Sequence, residues 1–221
     1  MTVILDDGET LDSLPPDAAT AARVVRIDGD VFLSDYPHPL PALTTIGGLA
    51  YLDRYKHALP ALTSIGWRAY LEGYDHALPA LTSIGSSADL SSYGHALPAL
   101  TTIGGWANLH GYGHPLPALT QIGGSAYLLG YEHPLPALTE IKGAVHMRGY
   151  AHLPAWIGYV GDDARGYCFW ADLKRSRVRA GCRNFTPGEA LAHWGRGGES
   201  DRPDCLALAQ RVIIALIEGR S

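Results

Sequence analysis

A 19-residue unit repeated in tandem is the feature that most restricts how this 221-residue chain can fold. Its clearest element is the pentapeptide Leu-Pro-Ala-Leu-Thr, which begins at Leu40, Leu59, Leu78, Leu97, Leu116 and Leu135. Repeats with a period of about 20–50 residues form stacks, in which no unit folds alone and neighbours bury one continuous core. The chain is therefore expected to be an elongated stack of repeats.

Each unit contains an alternating segment, Gly-x-x-Ala-x-Leu-x-Gly, which has the period of a half-buried strand. The segment Leu-Pro-Ala-Leu-Thr-x-Ile is too short for a long helix and contains a proline. We therefore expect it to be an extended or single-turn return segment whose apolar side chains point inward. A degenerate copy precedes the first clear unit, with Ile27, Val31 and Leu33 matching Ile46, Ala50 and Leu52. The pattern predicts a mainly β fold: a parallel β-solenoid of about seven rungs over 23–157, with an N-terminal cap (1–22) and an α+β capping module (158–221).

The repeat resembles the leucine-rich-repeat superfamily, in particular its short bacterial type, in which L-x-x-L-x-x-I-G-x-x-A/L-x-L recurs. The resemblance covers about 23–157. The unit here is shorter than most, and tyrosine stands where many members have asparagine, as at Tyr55 and Tyr74. The resemblance implies the fold; the functions of the superfamily are too varied to imply one.

Tyrosine, histidine and threonine each recur at a fixed position of the unit, so each is expected to form a row, or ladder, along the stack. Tyrosines from Tyr36 to Tyr150 are expected to be buried, with their hydroxyls bonded to turn backbone. Histidines follow two residues later, from His38 to His152. A line of imidazoles does not converge on one point as metal ligands do, so we expect them to cap turn carbonyls and predict no metal or cofactor. The threonines from Thr44 to Thr139 are expected to cap turns.

Positions that vary between repeats point outward from the alternating segment. They mix aromatic, polar and charged residues and contain no lysine, which is the composition of recognition surfaces, although an idle surface that tolerates drift remains an alternative. The predicted protein-binding residues are Tyr51, Arg68, Tyr70, Trp106, Asn108, His110, Tyr127, His146 and Arg148.

The 19-residue period stops after Leu153, and the tail has a different character. Residues 167–171 and 177–182 read as two strands, Thr186 and Glu189 form a capping box for a short helix, and Pro203 begins a longer amphipathic helix. The stretch 180–194 resembles C-terminal modules of uncharacterised phage and prophage proteins. This implies provenance and no particular activity.

Two groups of tail residues are candidates for ligand contact. Arg175, Arg177 and Arg179 alternate along the sequence, so they are candidates to contact an anion, nucleic acid or an acidic segment of the chain itself. The three cysteines and His193 have no Cys-x-x-Cys spacing, so buried free thiols are expected rather than a zinc site.

Overall composition narrows the class of function. The net charge of −5 argues against a general nucleic-acid or membrane-surface binder. No apolar h-region follows Met1, and three cysteines are an odd number, so we expect a reducing cytoplasm, that of the host cell if the protein is phage encoded.

No phosphate loop, nucleophile elbow or dinucleotide fingerprint occurs, so we expect a non-enzymatic protein that binds a host or viral protein, for example an inhibitor of host defence. Two alternatives remain open at this stage. One is sequestration of a small anionic ligand or nucleotide, and the other is a structural or virion component that acts by self-association.

Overall fold

The repeats form a parallel β-solenoid of about six turns, followed by a small α+β module. The computed structural model describes residues 1–200 and 202–219. Each full repeat supplies two strands of two residues, one to each of two parallel sheets that run along the solenoid. The predicted fold class is confirmed. The return segment, which the sequence predicts to be extended or a single turn, contains a two-residue strand in each full repeat.

Sheet A contains the Thr-Ile or equivalent dipeptides of the return segment: β5 (Thr45–Ile46), β7 (Ser64–Ile65), β9 (Ser83–Ile84), β11 (Thr102–Ile103), β13 (Gln121–Ile122) and β15 (Glu140–Ile141). Sheet B contains the alternating segments: β4 (Val31–Phe32), β6 (Ala50–Tyr51), β8 (Ala69–Tyr70), β10 (Ala88–Asp89), β12 (Ala107–Asn108), β14 (Ala126–Tyr127) and β16 (Val145–His146). Adjacent strands pair in register, as Ala50 does with Ala69. Equivalent residues of successive repeats therefore stack directly on one another.

The N-terminal segment closes one end of sheet A. β1 (Thr2–Leu5) pairs antiparallel with both β2 (Thr10–Leu11) and β3 (Val24–Asp28), and β3 pairs in parallel with β5. The single-turn helix α1 (Ala18–Ala21) is capped by Asp17, whose side chain accepts the amide of Thr20. The predicted boundary at 22/23 falls between α1 and β3.

The solenoid core consists of stacked columns of apolar side chains. Within one repeat the buried residues are Leu59, Leu62, Ile65, Ala69, Leu71 and Tyr74. The predicted inward alanine–leucine set is buried in every repeat. Because strands of only two residues are too short to be stable alone, this continuous core and the contacts between turns must hold the stack together.

Polar side chains bond the repeats to each other outside the strands. Each ladder tyrosine hydroxyl donates to a backbone carbonyl of the preceding level over 2.8–3.3 Å, and Tyr93 does so to His76. Each ladder threonine hydroxyl donates to the carbonyl one repeat earlier over 2.8–3.1 Å. The threonines thus link neighbouring turns rather than capping their own.

The histidine ladder also bonds each level to the one before it. Nε2 of five histidines lies 2.8–3.0 Å from a backbone carbonyl of the preceding level, and these are His38, His57, His76, His114 and His133. His95 instead contacts Asp75 at 3.2 Å. The predicted contact with turn carbonyls is confirmed for the five, and Nε2 is the donor because a carbonyl oxygen can only accept.

The C-terminal module covers the last turn of the solenoid. Its antiparallel sheet C runs β17 (Ile157–Asp162), β18 (Cys168–Asp172), β19 (Arg177–Ala180) and β20 (Arg183–Phe185). Two helices follow, α2 (Pro187–Trp194) and α3 (Pro203–Glu218). The predicted capping box of Thr186 and Glu189 is confirmed. The predicted boundary at 157/158 falls at the start of β17.

Sheet C contributes side chains to two cores. Trp156 and Trp170 belong to the solenoid core, where the Trp156 indole donates to the Leu138 carbonyl over 2.9 Å. Phe169 and Ala171, on the other face of β18, pack with the buried residues of α2 and α3. All five residues of β18 are buried, so this strand joins the helices to the solenoid.

Glycine is required where the chain turns from sheet A to sheet B. A Cβ at Gly85 would overlap the carbonyl oxygen of Gly66, and Gly104 and Gly123 are in the same position relative to the turn before them. At this corner the turns that end in Gly66 to Gly123 approach each other too closely for a side chain, and only the last turn has one there, Lys142. Gly94, in the opposite loop, has open space around its Cβ position.

We expect Gly85→Ala to destabilise the protein by about 2 kcal/mol or more, because the clashing atoms are backbone and the register prevents them from moving apart. Gly94→Ala is the matched control and should leave the free energy of unfolding within about 0.5 kcal/mol of the original. Urea unfolding followed by circular dichroism measures both. Equal stability of the two variants would contradict the close approach described here.

We also expect stability to fall at alkaline pH because of the tyrosine ladder. Burial raises the pKa of Tyr55, Tyr74, Tyr93, Tyr112 and Tyr131, and it raises the pKa of Tyr150 to about 12. Above about pH 10 the unfolded chain loses these protons while the native state keeps them, so the free energy of unfolding must decrease as pH rises.

Urea unfolding at a series of pH values, with phenolate absorbance recorded in parallel, tests this expectation. Tyr93→Phe serves as the comparison variant: it should be less stable by about 1 kcal/mol near neutral pH, through the lost hydrogen bond, and lose less stability on going to high pH. Ionisation of the ladder tyrosines in a still-folded protein would show that burial does not protect them.

Candidate functional site: the outward face of sheet B

The outward face of sheet B, called the B face below, carries all nine predicted protein-binding residues. Five of them lie in the strands: Tyr51, Tyr70, Asn108, Tyr127 and His146. The other four stand one residue before a strand or two residues after its outward residue, and alternation places them on the same side. The sequence therefore brings these residues onto one surface because its variable positions alternate with buried alanine and leucine.

Stacked aromatic rings cover the N-terminal half of the B face. The ring centroids of Phe32 and Tyr51 are 4.5 Å apart at an interplanar angle of 11°, and those of Tyr51 and Tyr70 are 4.3 Å apart at 5°. This spacing follows from the distance between paired strands, about 4.8 Å. The rings cover one another's faces, so the stack presents ring edges and hydroxyl groups to solvent.

Arg68 connects this stack to the middle of the face. Its guanidinium donates to the Tyr70 hydroxyl over 2.9 Å and lies 5.7 Å from the ring centroids of both Tyr70 and Trp106. Trp106 in turn meets Tyr127 edge to face at 6.5 Å. One cation thus holds two aromatic groups in fixed positions relative to each other.

The outward residues of the later strands of sheet B are also held by neighbouring side chains. The amide of Asn108 donates to Asp89 over 3.0 Å, and its carbonyl oxygen accepts the backbone amide of His110 over 3.1 Å. Tyr127 and His146 stack with centroids 4.5 Å apart at an angle of 2°. Asn108, Tyr127 and His146 are therefore each positioned by a neighbour one repeat away.

The two stacked tyrosines, Tyr51 and Tyr70, have pKa values shifted in opposite directions. The hydroxyl contact with Tyr70 is the main cause that raises the pKa of Tyr51, whereas the hydrogen bond from Arg68 lowers the pKa of Tyr70. Because the Tyr70 oxygen already accepts the Arg68 guanidinium, its own O–H remains available to donate to a partner. A partner that meets these ring edges encounters an ordered pattern of polar groups.

Two exposed aromatic residues, one on the B face and one at the corner beside it, were not predicted from the sequence. Phe32, with 66% of its surface exposed, is the first ring of the stack. The degenerate first repeat contains the signal, since matching Val31 to Ala50 places Phe32 in the column of Tyr51. Trp67 is 56% exposed and occupies a corner position that is glycine in several other repeats. In the sequence, Trp67 stands out only because the equivalent residue of those repeats is glycine.

Arg148 is at the end of the B face and close to the C-terminal module. Its guanidinium lies 3.9 Å from the carboxylate of Asp162 in β17. His110 is exposed, and Arg148 is largely exposed despite this contact. The predicted site residues thus extend from the second level of sheet B to the junction with sheet C.

The predicted arginine stripe does not form a free anion-binding surface. Arg179 is only 4% exposed, and its guanidinium donates to the carbonyls of Lys142 and Gly143, at 2.7 Å each, while covering the ring of Trp170. Arg175 pairs with Glu140 at 2.8 Å, and Arg177 donates to Asn184. Two of the three arginines therefore attach the module to the last turn of the solenoid.

The cysteine prediction needs one correction. Cys168 and Cys205 are buried, as expected, but Cys182 is exposed in the tight turn between β19 and β20. Over residues 1–200 and 202–219, no three histidine, cysteine, aspartate or glutamate side chains come together as ligands for one metal ion. Within the same residues, no helix has the length and hydropathy needed to span a membrane.

Comparison with protein-family models, with curated proteins and with solved structures finds no match. The solenoid architecture with its 19-residue spacing is thus established by the geometry, and the leucine-rich-repeat and phage resemblances stay predictions.

We expect Arg179→Ala to lower the free energy of unfolding by about 3 kcal/mol, because the Lys142 and Gly143 carbonyls lose a charged donor and the Trp170 ring loses the guanidinium that covers it. Burial lowers the pKa of Arg179, as is expected of a cation held in the interior. Arg177→Ala, two residues along the same strand, is the control and should cost about 1 kcal/mol or less. Thermal unfolding measures both, and an unchanged midpoint for Arg179→Ala would contradict an anchoring role.

Proposed function

We propose that this protein is a non-enzymatic binding protein whose B face engages a protein partner. The observation that carries the proposal is the ordered array of half-buried and exposed aromatic, polar and cationic side chains along the seven levels of sheet B. Tyr, Trp and Arg are the residue types that contribute most to binding energy at protein interfaces. Here they lie on a rigid support, so little conformational entropy is lost when they are covered.

The dimensions of the B face favour a macromolecular partner. Seven levels at about 4.8 Å extend over roughly 30 Å, a length suited to an interface of about 800 Å² on each side. A sugar or nucleobase would need an open ring face to stack on, and within the Phe32–Tyr70 stack the inner faces are occupied by neighbouring rings, which leaves the outer face of Phe32 as the open one. The exposed edges instead suit the mixed apolar and polar contacts of a protein surface.

We further propose that the partner is a host or viral protein and that the protein acts in the host cytoplasm. The basis is the resemblance of residues 180–194 to tails of phage and prophage proteins, together with the leucine-rich-repeat-like solenoid. Inhibition of a host defence protein is the specific form of this proposal. A structural role through self-association is the competing function, and the same surface would then meet another copy of the chain.

The test compares partner capture by the native protein and by a Trp106→Ala/Tyr127→Ala double variant. We expect affinity for a captured partner to fall by about 2 kcal/mol or more, roughly thirtyfold, with little change in thermal stability. Ile214→Ala/Ile217→Ala, which removes two exposed apolar side chains on α3, is the matched control and should bind as the native protein does.

Sedimentation of the purified protein completes the experiment. A monomer that captures a distinct protein through the B face supports the proposal. Binding that is the same for both double variants would exclude the B face as the site. A stable oligomer that dissociates in the Trp106→Ala/Tyr127→Ala variant would establish self-association instead.

A further inference from the structure

A candidate site separate from the B face, a cleft, lies in the C-terminal module. Sheet C is a meander of four antiparallel strands, so the first and third of its turns lie at the same end of the sheet. The first turn, 163–167, carries Arg165 and Tyr167. The third turn, 181–182, leads into Arg183 at the start of β20. The sequence does not suggest this pairing, because the two arginines are far apart in the chain and outside the alternating stripe.

A cleft of about 300 Å³ opens between these turns and the helices. Besides Arg165, Tyr167 and Arg183, its walls include Arg202, His193 and Trp194. Trp194 and Phe169 are almost fully buried and form an apolar floor, whereas both turn arginines are exposed at the rim. The cleft thus combines an aromatic base with a cationic mouth.

The positive charge at the rim is not compensated within the part of the chain that the structure describes. Arg202 is neutralised by Asp163 at 3.2 Å and by Asp204 at 2.7 Å. Arg165 and Arg183 have no such partner among residues 1–200 and 202–219. The guanidinium groups of Arg165, in the first turn, and of Arg183, at the start of β20, are therefore not paired with a carboxylate, and Arg183 lies 6.0 Å from the centroid of the Phe185 ring.

The turn that carries Arg165 is held in place before any ligand binds. Asp163 is 8% exposed, and one of its oxygens accepts the backbone amides of Arg165 and Tyr167 over 2.9 Å each. Its other oxygen accepts the Arg202 guanidinium. This buried carboxylate orders the turn and connects it to Arg202 at the start of α3, and preordering of a site favours binding.

We propose that this cleft binds a small organic phosphate, with the phosphate at Arg165 and Arg183 and the organic part over Tyr167. A phosphate monoester carries nearly two negative charges near neutral pH, which matches two guanidinium groups. The planar fork of arginine donates two parallel hydrogen bonds to phosphate oxygens. The cleft volume admits a mononucleotide-sized ligand, and the exposed Tyr167 ring offers a surface for its apolar or planar part.

This ligand site is independent of the proposed protein-binding function, because none of its residues belongs to the B face. It also differs from the arginine stripe predicted from the sequence, whose buried member anchors the module.

Calorimetric titration of the full chain with adenosine monophosphate and with inorganic phosphate tests the proposal, with sodium acetate at equal ionic strength as the reference. We expect saturable binding of the monophosphate, weakened about tenfold by Arg165→Gln and about a hundredfold by Arg165→Gln/Arg183→Gln, since each lost charged hydrogen bond is worth about one decade. Arg211→Gln, an exposed arginine on α3 outside the cleft, should bind normally.

The thiol of Cys182 supplies a second readout that does not depend on heats of binding. It lines the cleft and is exposed, whereas Cys168 and Cys205 are buried and burial raises their pKa values to about 12 and about 11. Alkylation of the folded protein should therefore modify Cys182 alone, because the thiolate is the reactive form. Adenosine monophosphate should slow this reaction in the native protein and have no effect in the double variant.

Saturable binding that requires the two arginines and protects Cys182 supports the site. Absence of saturable binding by either phosphate, an effect that acetate reproduces, or equal binding by the double variant would overturn it. Circular dichroism of each variant confirms that it is folded, so that loss of binding reports on the cleft.

Discussion

The in-register contact between one turn and the next is the interaction on which the whole structure depends. Strands of two residues are too short to be stable as isolated pairs, and most of each 19-residue turn lies outside them. The turns are held by stacked apolar columns and by ladders of tyrosine, histidine and threonine that bond to carbonyls of the preceding level. The tyrosine and histidine side chains satisfy turn carbonyls, whereas each threonine hydroxyl adds a second hydrogen bond to a carbonyl that already accepts a backbone amide. These bonds between turns explain why the same side chains recur in nearly every repeat.

A stack of this kind has two ends, and the chain closes each one differently. At the N-terminus an antiparallel strand pairs with the first strand of sheet A. At the C-terminus the exposed carbonyls of Lys142 and Gly143 are met by the guanidinium of Arg179, and the last apolar layer is covered by Trp156 and Trp170. A buried arginine with its charge directed at peptide carbonyls thus serves the fold, although its place in an alternating basic sequence suggested ligand binding.

The constraints that hold the core also shape the surface. Because the repeats are in register, residues at equivalent outward positions lie one strand spacing apart, which is the distance at which aromatic rings stack. Phe32, Tyr51 and Tyr70 consequently form a continuous stack, and Arg68 extends it to Trp106. Neighbouring side chains restrict one another, so the B face is ordered before any partner arrives. This preorganisation underlies the proposed binding function.

The sequence by itself determined the solenoid, its period, the inward columns and the set of outward residues, because identical units leave only one register in which all apolar positions coincide. It did not reveal the second strand in each return segment, since a two-residue Thr-Ile strand is recognisable only by its partners in adjacent turns. Tertiary structure alone decided the role of Arg179, the exposure of Cys182 and the placement of Arg165 and Arg183 in the wall of one cleft. The tail has no repeat, so the contacts of its side chains depend on how the meander and helices pack against the last turn. Sequence spacing carries no information about distances of that kind.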